Sequence, residues 1–116
     1  MAVQRRVIMI ENETIQKALA EFKERVTATY PVARLILFGS AAREEMDEES
    51  DVDVLVLTEK PLTWRERDVI THIVFEINLR LGTNLSTLVI DEHSWEEGLI
   101  SVMPIREEIR RDGIEL

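Results

Sequence analysis

Leu37-Phe38-Gly39-Ser40-Ala41-Ala42-Arg43, followed with ten residues between Ser40 and Asp51 by Ser50-Asp51-Val52-Asp53-Val54-Leu55-Val56, is the stretch that decides the fold. Ala33 to Phe38 is a short apolar run closed by Gly39-Ser40, which reads as a buried strand ending in a tight turn. Asp51 to Thr58 is short, β-branched and stopped by Pro61, which reads as a second buried strand. Alternation places Asp51, Asp53, Leu55 and Leu57 on one face and Val52, Val54 and Val56 on the other.

Helical periodicity surrounds these strands. Ile15, Ala18, Leu19, Phe22 and Val26 line one face of a helix from Thr14 to about Tyr30, with Asn12 as N-cap and Pro31 as stop. Thr63-Trp64-Arg65-Glu66 is a capping box. Behind it Ile70, Ile73, Val74, Ile77 and Leu81 form a second stripe, and Gly82 suits the position past its end. Leu85 to Ile90 is a third strand candidate. Ser94-Trp95-Glu96-Glu97 fits the start of a short helical turn. Pro104 fits the first turn of a last helix, with Ile105 and Ile109 inward and Gly113 as stop. Helix, strand, strand, helix, strand, helix predicts an α/β (α+β) protein, a small mixed sheet packed by helices.

The chain has 116 residues, 45% hydrophobic and 32% charged, which suits one domain over residues 1–116. Its formal net charge of −9 disfavours general nucleic-acid binding, because an acidic surface repels a phosphate backbone. The chain has no cysteine, which excludes disulfides and thiolate metal sites. Met1 to Arg6 lead into no signal-peptide run, and no stretch is long enough to span a bilayer. The expectation is a soluble, cytoplasmic protein with no membrane partner.

The chemistry gathers at the two motifs. Gly39 carries no side chain to block a phosphate, and Ser40 offers a hydroxyl and an N–H. A helix starting at Ala41 would add its N-terminal amides. Arg43, one turn on, would reach a phosphate oxygen with its fork of donors. Asp51 and Asp53, about 6–7 Å apart along one strand face, can share a magnesium ion completed by triphosphate oxygens. An aspartate set among Val52, Val54, Leu55, Val56 and Leu57 also wants a cation or strong donors.

These residues resemble the minimal nucleotidyltransferases of the DNA polymerase beta-like superfamily. The resemblance is specific at the motif and extends more loosely from the first helix to Arg110-Arg111-Asp112-Gly113-Ile114. It implies the polymerase beta-like palm fold. It also implies that Gly39 and Ser40, beside the nucleotide-binding candidate Arg43, contact the nucleotide phosphates, and that Asp51 and Asp53 are the catalytic, metal-binding pair for two magnesium ions. The implied reaction moves a nucleoside monophosphate from an NTP, here ATP, to an acceptor hydroxyl and releases pyrophosphate. Many similar small proteins resemble antitoxins paired with a HEPN-domain RNase toxin, which implies a hetero-oligomer with such a partner and AMP transfer to it.

One departure matters. Active members of that family carry a third carboxylate on a later strand, where it helps hold the catalytic metal and takes the proton of the attacking hydroxyl. Here that strand reads Leu85-Ser86-Thr87-Leu88-Val89-Ile90, with Ser86 or Thr87 at the expected place. Asp91, four residues beyond Thr87, would lie roughly 13 Å along the strand, too far to substitute without a bulge. The two-metal site is then incomplete. Glu44 after Arg43, where the family often has glycine, is a smaller departure.

Other features read as structure. Asp47, Glu49, Asp51 and Asp53 alternate as in a calcium loop, but Val52 stands where an EF-hand needs glycine. The run Glu44-Glu45-Met46-Asp47-Glu48-Glu49 is a solvated acidic turn that could tune magnesium affinity. His72 and His93 have no partners at metal spacing. Trp64 and Trp95, beside helix starts, read as packing or staple residues. Ser40 lacks a hydrolase signature, and the Walker pattern is absent. Two activities of different class fit these residues: a magnesium-dependent nucleotidyltransferase acting on a partner protein, and a catalytically weak or inactive module of the same fold that binds nucleotide or partner.

Overall fold

The stripe that begins after Asn12 forms helix α1, Glu13–Thr29, burying Ile15, Ala18, Leu19, Phe22 and Val26. Asn12 Oδ1 accepts the N–H groups of Thr14 (2.9 Å) and Ile15 (3.2 Å), two donors the first turn leaves without intrahelical partners. The computed structural model describes residues 12–43 and 51–116. Strand β1, Val32–Phe38, leads into a 3-10 turn at Gly39–Ala41. Strand β2 is Val52–Thr58, with Asp51 just before it. Helix α2, Trp64–Leu81, starts on a complete Thr63/Glu66 capping box and ends at Gly82 with φ +69°. Strand β3, Leu85–Asp91, runs into helix α3, Glu92–Glu97. A 3-10 turn at Leu99–Val102 precedes helix α4, Pro104–Asp112, and strand β4, Ile114–Glu115.

The strands form one sheet in the order β3-β2-β1-β4. β1 pairs antiparallel with β2 and β4, while β2 and β3 are parallel, so the sheet is mixed as expected. Helices α1 and α2 cover one face, where Leu35, Leu37, Val52, Val54 and Val56 join their stripes. Ile36, Leu55, Leu57, Trp95 of α3 and Ile109 of α4 make a second, smaller core on the other face. The expected alternation of β2 therefore holds, and Asp53 shares the face of Leu55 and Leu57.

Three details differ from the sequence expectation. The cap of α3 is Asp91, not Ser94: its two oxygens accept Ser94 N–H (3.0 Å) and Ser94 Oγ–H (2.7 Å). Of the two tryptophans, Trp95 is buried, whereas Trp64 is 72% exposed with the Arg65 guanidinium 5.2 Å from its ring centroid. Trp64 is the first helical residue and points outward. Leu62, one place before the cap, packs on the core instead, where a staple residue belongs. Two-residue β4 was not expected; Glu115 returns to β1 and pairs with Arg34. Gly113 does stop α4, with φ −62°. Its bareness is a packing need, since a Cβ there would meet Ile109 O and Ile36 Cγ2.

The register of β3 is pinned by Asn78 of α2. Its Nδ2 donates to Leu85 O (3.0 Å), and its Oδ1 accepts Leu85 N–H (2.8 Å) and Thr83 Oγ–H (2.9 Å). On the other side Val52 N–H donates to Asn84 O (2.8 Å), tying the start of β2 to the entry of β3. Together these bonds place Ser86 opposite Asp53. Asn78→Ala would orphan Leu85 N–H and Thr83 Oγ–H, at an expected cost of roughly 2 kcal/mol, read as a lower urea midpoint with unchanged slope.

Candidate functional site

Phe38 is the register partner of Asp53, so the turn that follows β1 opens beside that carboxylate. Gly39 has φ +72°, a left-handed conformation that side chains resist. It is also buried, and a Cβ added to it would overlap Oδ2 of Asp53. Two independent constraints thus demand glycine, and the second is the Asp53 carboxylate itself. The Gly-Ser turn and the Asp-x-Asp strand are parts of one structure.

Gly39, Ser40 and Ala41 form the 3-10 turn, and Arg43 N–H closes back on Gly39 O at 3.3 Å. No α-helix starts at Ala41 among the described residues, so the expected row of helix N-terminal amides is here a single tight turn. Ser40 is half-buried, Asp51 is exposed and Asp53 lies between. The calcium-loop acids Asp47 and Glu49, and the whole run from Glu44 to Glu49, lie outside the described residues.

Burial raises the Asp53 carboxyl above the ordinary aspartate range. Repulsion from Asp51 and then Glu108 adds to this, while Arg43 opposes it. Glu108 was not expected here. It lies on α4, next to buried Ile109, and accepts a hydrogen bond from Arg43 Nη1 at 3.0 Å. Arg43, expected to reach a phosphate oxygen, is here paired to a distant part of the chain.

The β2–β3 register shows which of Ser86 and Thr87 lies beside Asp53. Ser86 stands beside Asp53, on the face shared by Leu88, Ile90, Leu55 and Leu57, whereas Thr87 points to the α1/α2 side. Asp91 pairs with Thr58 at the far end of β3. Bonds to Ser94 hold its carboxyl below the usual range. It is a helix cap and no part of the site. Among the described residues, no three His, Cys, Asp or Glu side chains gather closely enough to enclose a metal. The donor set still fits an ion such as magnesium, which binds through one or two carboxylates and takes its other ligands from phosphates and water. Gly39 has no side chain, and Oδ2 of Asp53 occupies the place a Cβ would take. His93 is exposed, 3.5 Å from Glu97. His72 lies in a groove of about 410 Å³ with Val69, Phe75 and Leu79, on the side of the sheet away from Asp53.

Known proteins share this fold. The family model described as "Nucleotidyltransferase domain" matches residues 15–110, from α1 into α4. The chain belongs to the nucleotidyltransferase domain family. A candidate protein adenylyltransferase of Methanocaldococcus jannaschii is 36% identical over 77 residues, covering 65% of this chain and 78% of that protein. A second from the same organism is 29% identical over 79 residues, covering 66% of this chain and 74% of its own. A solved structure described as a candidate minimal nucleotidyltransferase superposes with a TM-score of 0.58 at 25% identity, covering 93% of this chain and 98% of that one. A toxin–antitoxin structure with AMP-PNP shares the fold, with a TM-score of 0.54 at 18% identity over 91% of this chain and 72% of that one. Among the described residues, no helix is long and apolar enough to cross a membrane.

Two variants test the geometry around Gly39 and Asp53. Gly39→Ala meets both the left-handed backbone and Asp53, and should lose roughly 1–3 kcal/mol of stability in a urea melt. Asp53→Asn should act oppositely. A carboxylate whose folded pKa is raised destabilises the fold above that pKa, and the penalty fades as pH falls through it. The variant should therefore melt about 1–3 °C above wild type at pH 7 without metal, with the gap closing in acid.

Proposed function

We propose that this chain transfers AMP from ATP to a hydroxyl on a partner protein, as the antitoxin of a HEPN toxin. The observation that carries the proposal is the left-handed Gly39 packed directly on the carboxylate of Asp53. That contact sets a bare backbone turn against Asp53, two residues from Asp51, which suits a triphosphate with a divalent cation. The similarity to candidate protein adenylyltransferases supports protein as the acceptor and AMP as the group moved. The toxin–antitoxin neighbour shares only the fold, so the HEPN partner rests on the motif resemblance. A chain of net charge −9 suits a basic partner better than a nucleic acid.

Each residue has a distinct task in this scheme. Gly39 lets phosphate oxygens approach the turn, and Ser40 offers its hydroxyl and N–H to them. Arg43 offsets phosphate charge. Asp51 and Asp53 would hold magnesium, which when bound screens the charge that grows on the phosphate oxygens. The acceptor oxygen bonds to the α-phosphorus, the bond to the β-phosphate oxygen breaks, and pyrophosphate leaves with that electron pair. The acceptor proton must also depart. Ser86 cannot take it as a carboxylate would, so it passes to water.

Ser86 is the specific observation that favours a second scheme, in which the same site binds nucleotide with slow turnover or none. Intact-mass measurement separates the two. The protein is mixed with magnesium, each NTP and the neighbouring gene's product. The enzyme gives a partner adduct of one nucleoside monophosphate, strongest with ATP and lost in Asp53→Asn. Nucleotide binding without an adduct supports the module, and neither result would sink both schemes. Ser86→Asp should raise adduct formation by roughly tenfold or more, within the usual range for a placed proton acceptor. An unchanged rate in a variant that still binds nucleotide would show that Ser86 is not the deficient position.

A further inference from the structure

The ion pair between Arg43 and Glu108 joins the turn after β1 to α4, 65 residues away. We propose that Glu108 is a positioning residue, which holds the Arg43 guanidinium over the nucleotide site so that it meets the triphosphate already oriented. This inference rests on the nucleotide-site reading of Gly39, Asp51 and Asp53 and extends it to α4.

Several features of the pair support a positioning role. Its side chains are 34% and 43% exposed. An ion pair so open to water contributes little to stability, so its main consequence is geometric. Arginine has a long stem with much rotamer freedom, and freezing that freedom weighs against ligand binding unless it is frozen beforehand. Glu108 is itself held firmly, because its neighbour Ile109 is wholly buried with Ile36, Leu55, Leu57 and Trp95. Pro104 at the start of α4 and Gly113 packed on Ile36 fix the two ends of that helix. Arg43 meets Glu108 through Nη1, and a guanidinium carries five N–H donors in a planar fork. A carboxylate on one edge of that fork orients the others.

The pair lies within electrostatic reach of Asp53. Both Arg43 and Glu108 act electrostatically on Asp53, in opposite senses. Glu108 does not replace the absent third acid, since no three carboxylates among the described residues lie close enough to enclose a metal. Its action passes through Arg43.

The opposite effect is physically available, which makes the test decisive. Glu108 adds negative charge near Asp53, so a purely repulsive role would weaken nucleotide binding in the wild type and its removal would tighten it. Calorimetric titration with ATP and magnesium distinguishes the cases. Glu108→Ala should weaken ATP binding by roughly three- to tenfold, and Arg43→Ala by at least as much. The double variant should bind no more weakly than Arg43→Ala alone, because Glu108 acts only through the arginine. Glu108→Gln, which still accepts a hydrogen bond from Arg43, should recover part of the loss. Melting temperatures of all four variants should stay close to wild type, which separates positioning from folding. Unchanged or tighter binding in Glu108→Ala, or fully additive losses in the double variant, would overturn the proposal while leaving the nucleotide site intact. A wild-type protein that binds no ATP with magnesium would overturn the site and this inference together.

Discussion

The contact between the Gly39 backbone and the Asp53 carboxylate is the constraint on which the site depends. A strand must end, a chain must turn left-handed, and a half-buried acid must lie where a side chain would otherwise stand. Each demand has a cost. The left-handed turn excludes almost every residue but glycine. The acid is partly desolvated and faces Asp51 and Glu108, so its charged form is disfavoured. Nothing in folding alone rewards that arrangement. A cation and a phosphate ligand would, because they turn the repulsion between carboxylates into coordination. Strain and unfavourable charge held in one place by a well-packed scaffold are what a binding site requires.

The scaffold shows why such a short chain can hold the arrangement. The five-residue stripe of α1 and that of α2 seal one face of the sheet, so β2 keeps its valines dry and its acids on the other side. Asn78 fixes the entry of β3, and the β2–β3 register fixes which residue stands beside Asp53. The second core is smaller. It consists of Ile36, Leu55, Leu57, Trp95 and Ile109, and it brings α4 up to the site. Arg106 strengthens that corner by donating from Nε to Trp95 O at 2.9 Å, with its guanidinium 5.4 Å from the Trp95 ring centroid.

Much of this was legible in the sequence because the signals are local. The helical stripes, the Thr63 capping box, the alternation of β2 and the Gly-Ser turn each depend on neighbours a few residues apart. Glu108 was not legible. Pro104, Ile105 and Ile109 announce a helix with an inward side, but nothing in their spacing says which strand that side will meet. β4 was missed because two residues carry no periodicity. At Asp91 the signal was present and misassigned: Asp91-Glu92-His93-Ser94 is itself a capping pattern, and Ser94 is the donor to it. The choice between Ser86 and Thr87 needed the register, which only the pairing of β2 with β3 supplies.

The central claim is that Gly39, Asp51 and Asp53 together hold a nucleoside triphosphate with a divalent cation. Calorimetric titration of ATP into the protein, with magnesium and then with the metal chelated, tests it most directly when repeated on Asp53→Asn. The account predicts binding that requires magnesium and is lost in the variant. Magnesium-independent binding, or binding that survives Asp53→Asn unchanged, would contradict it.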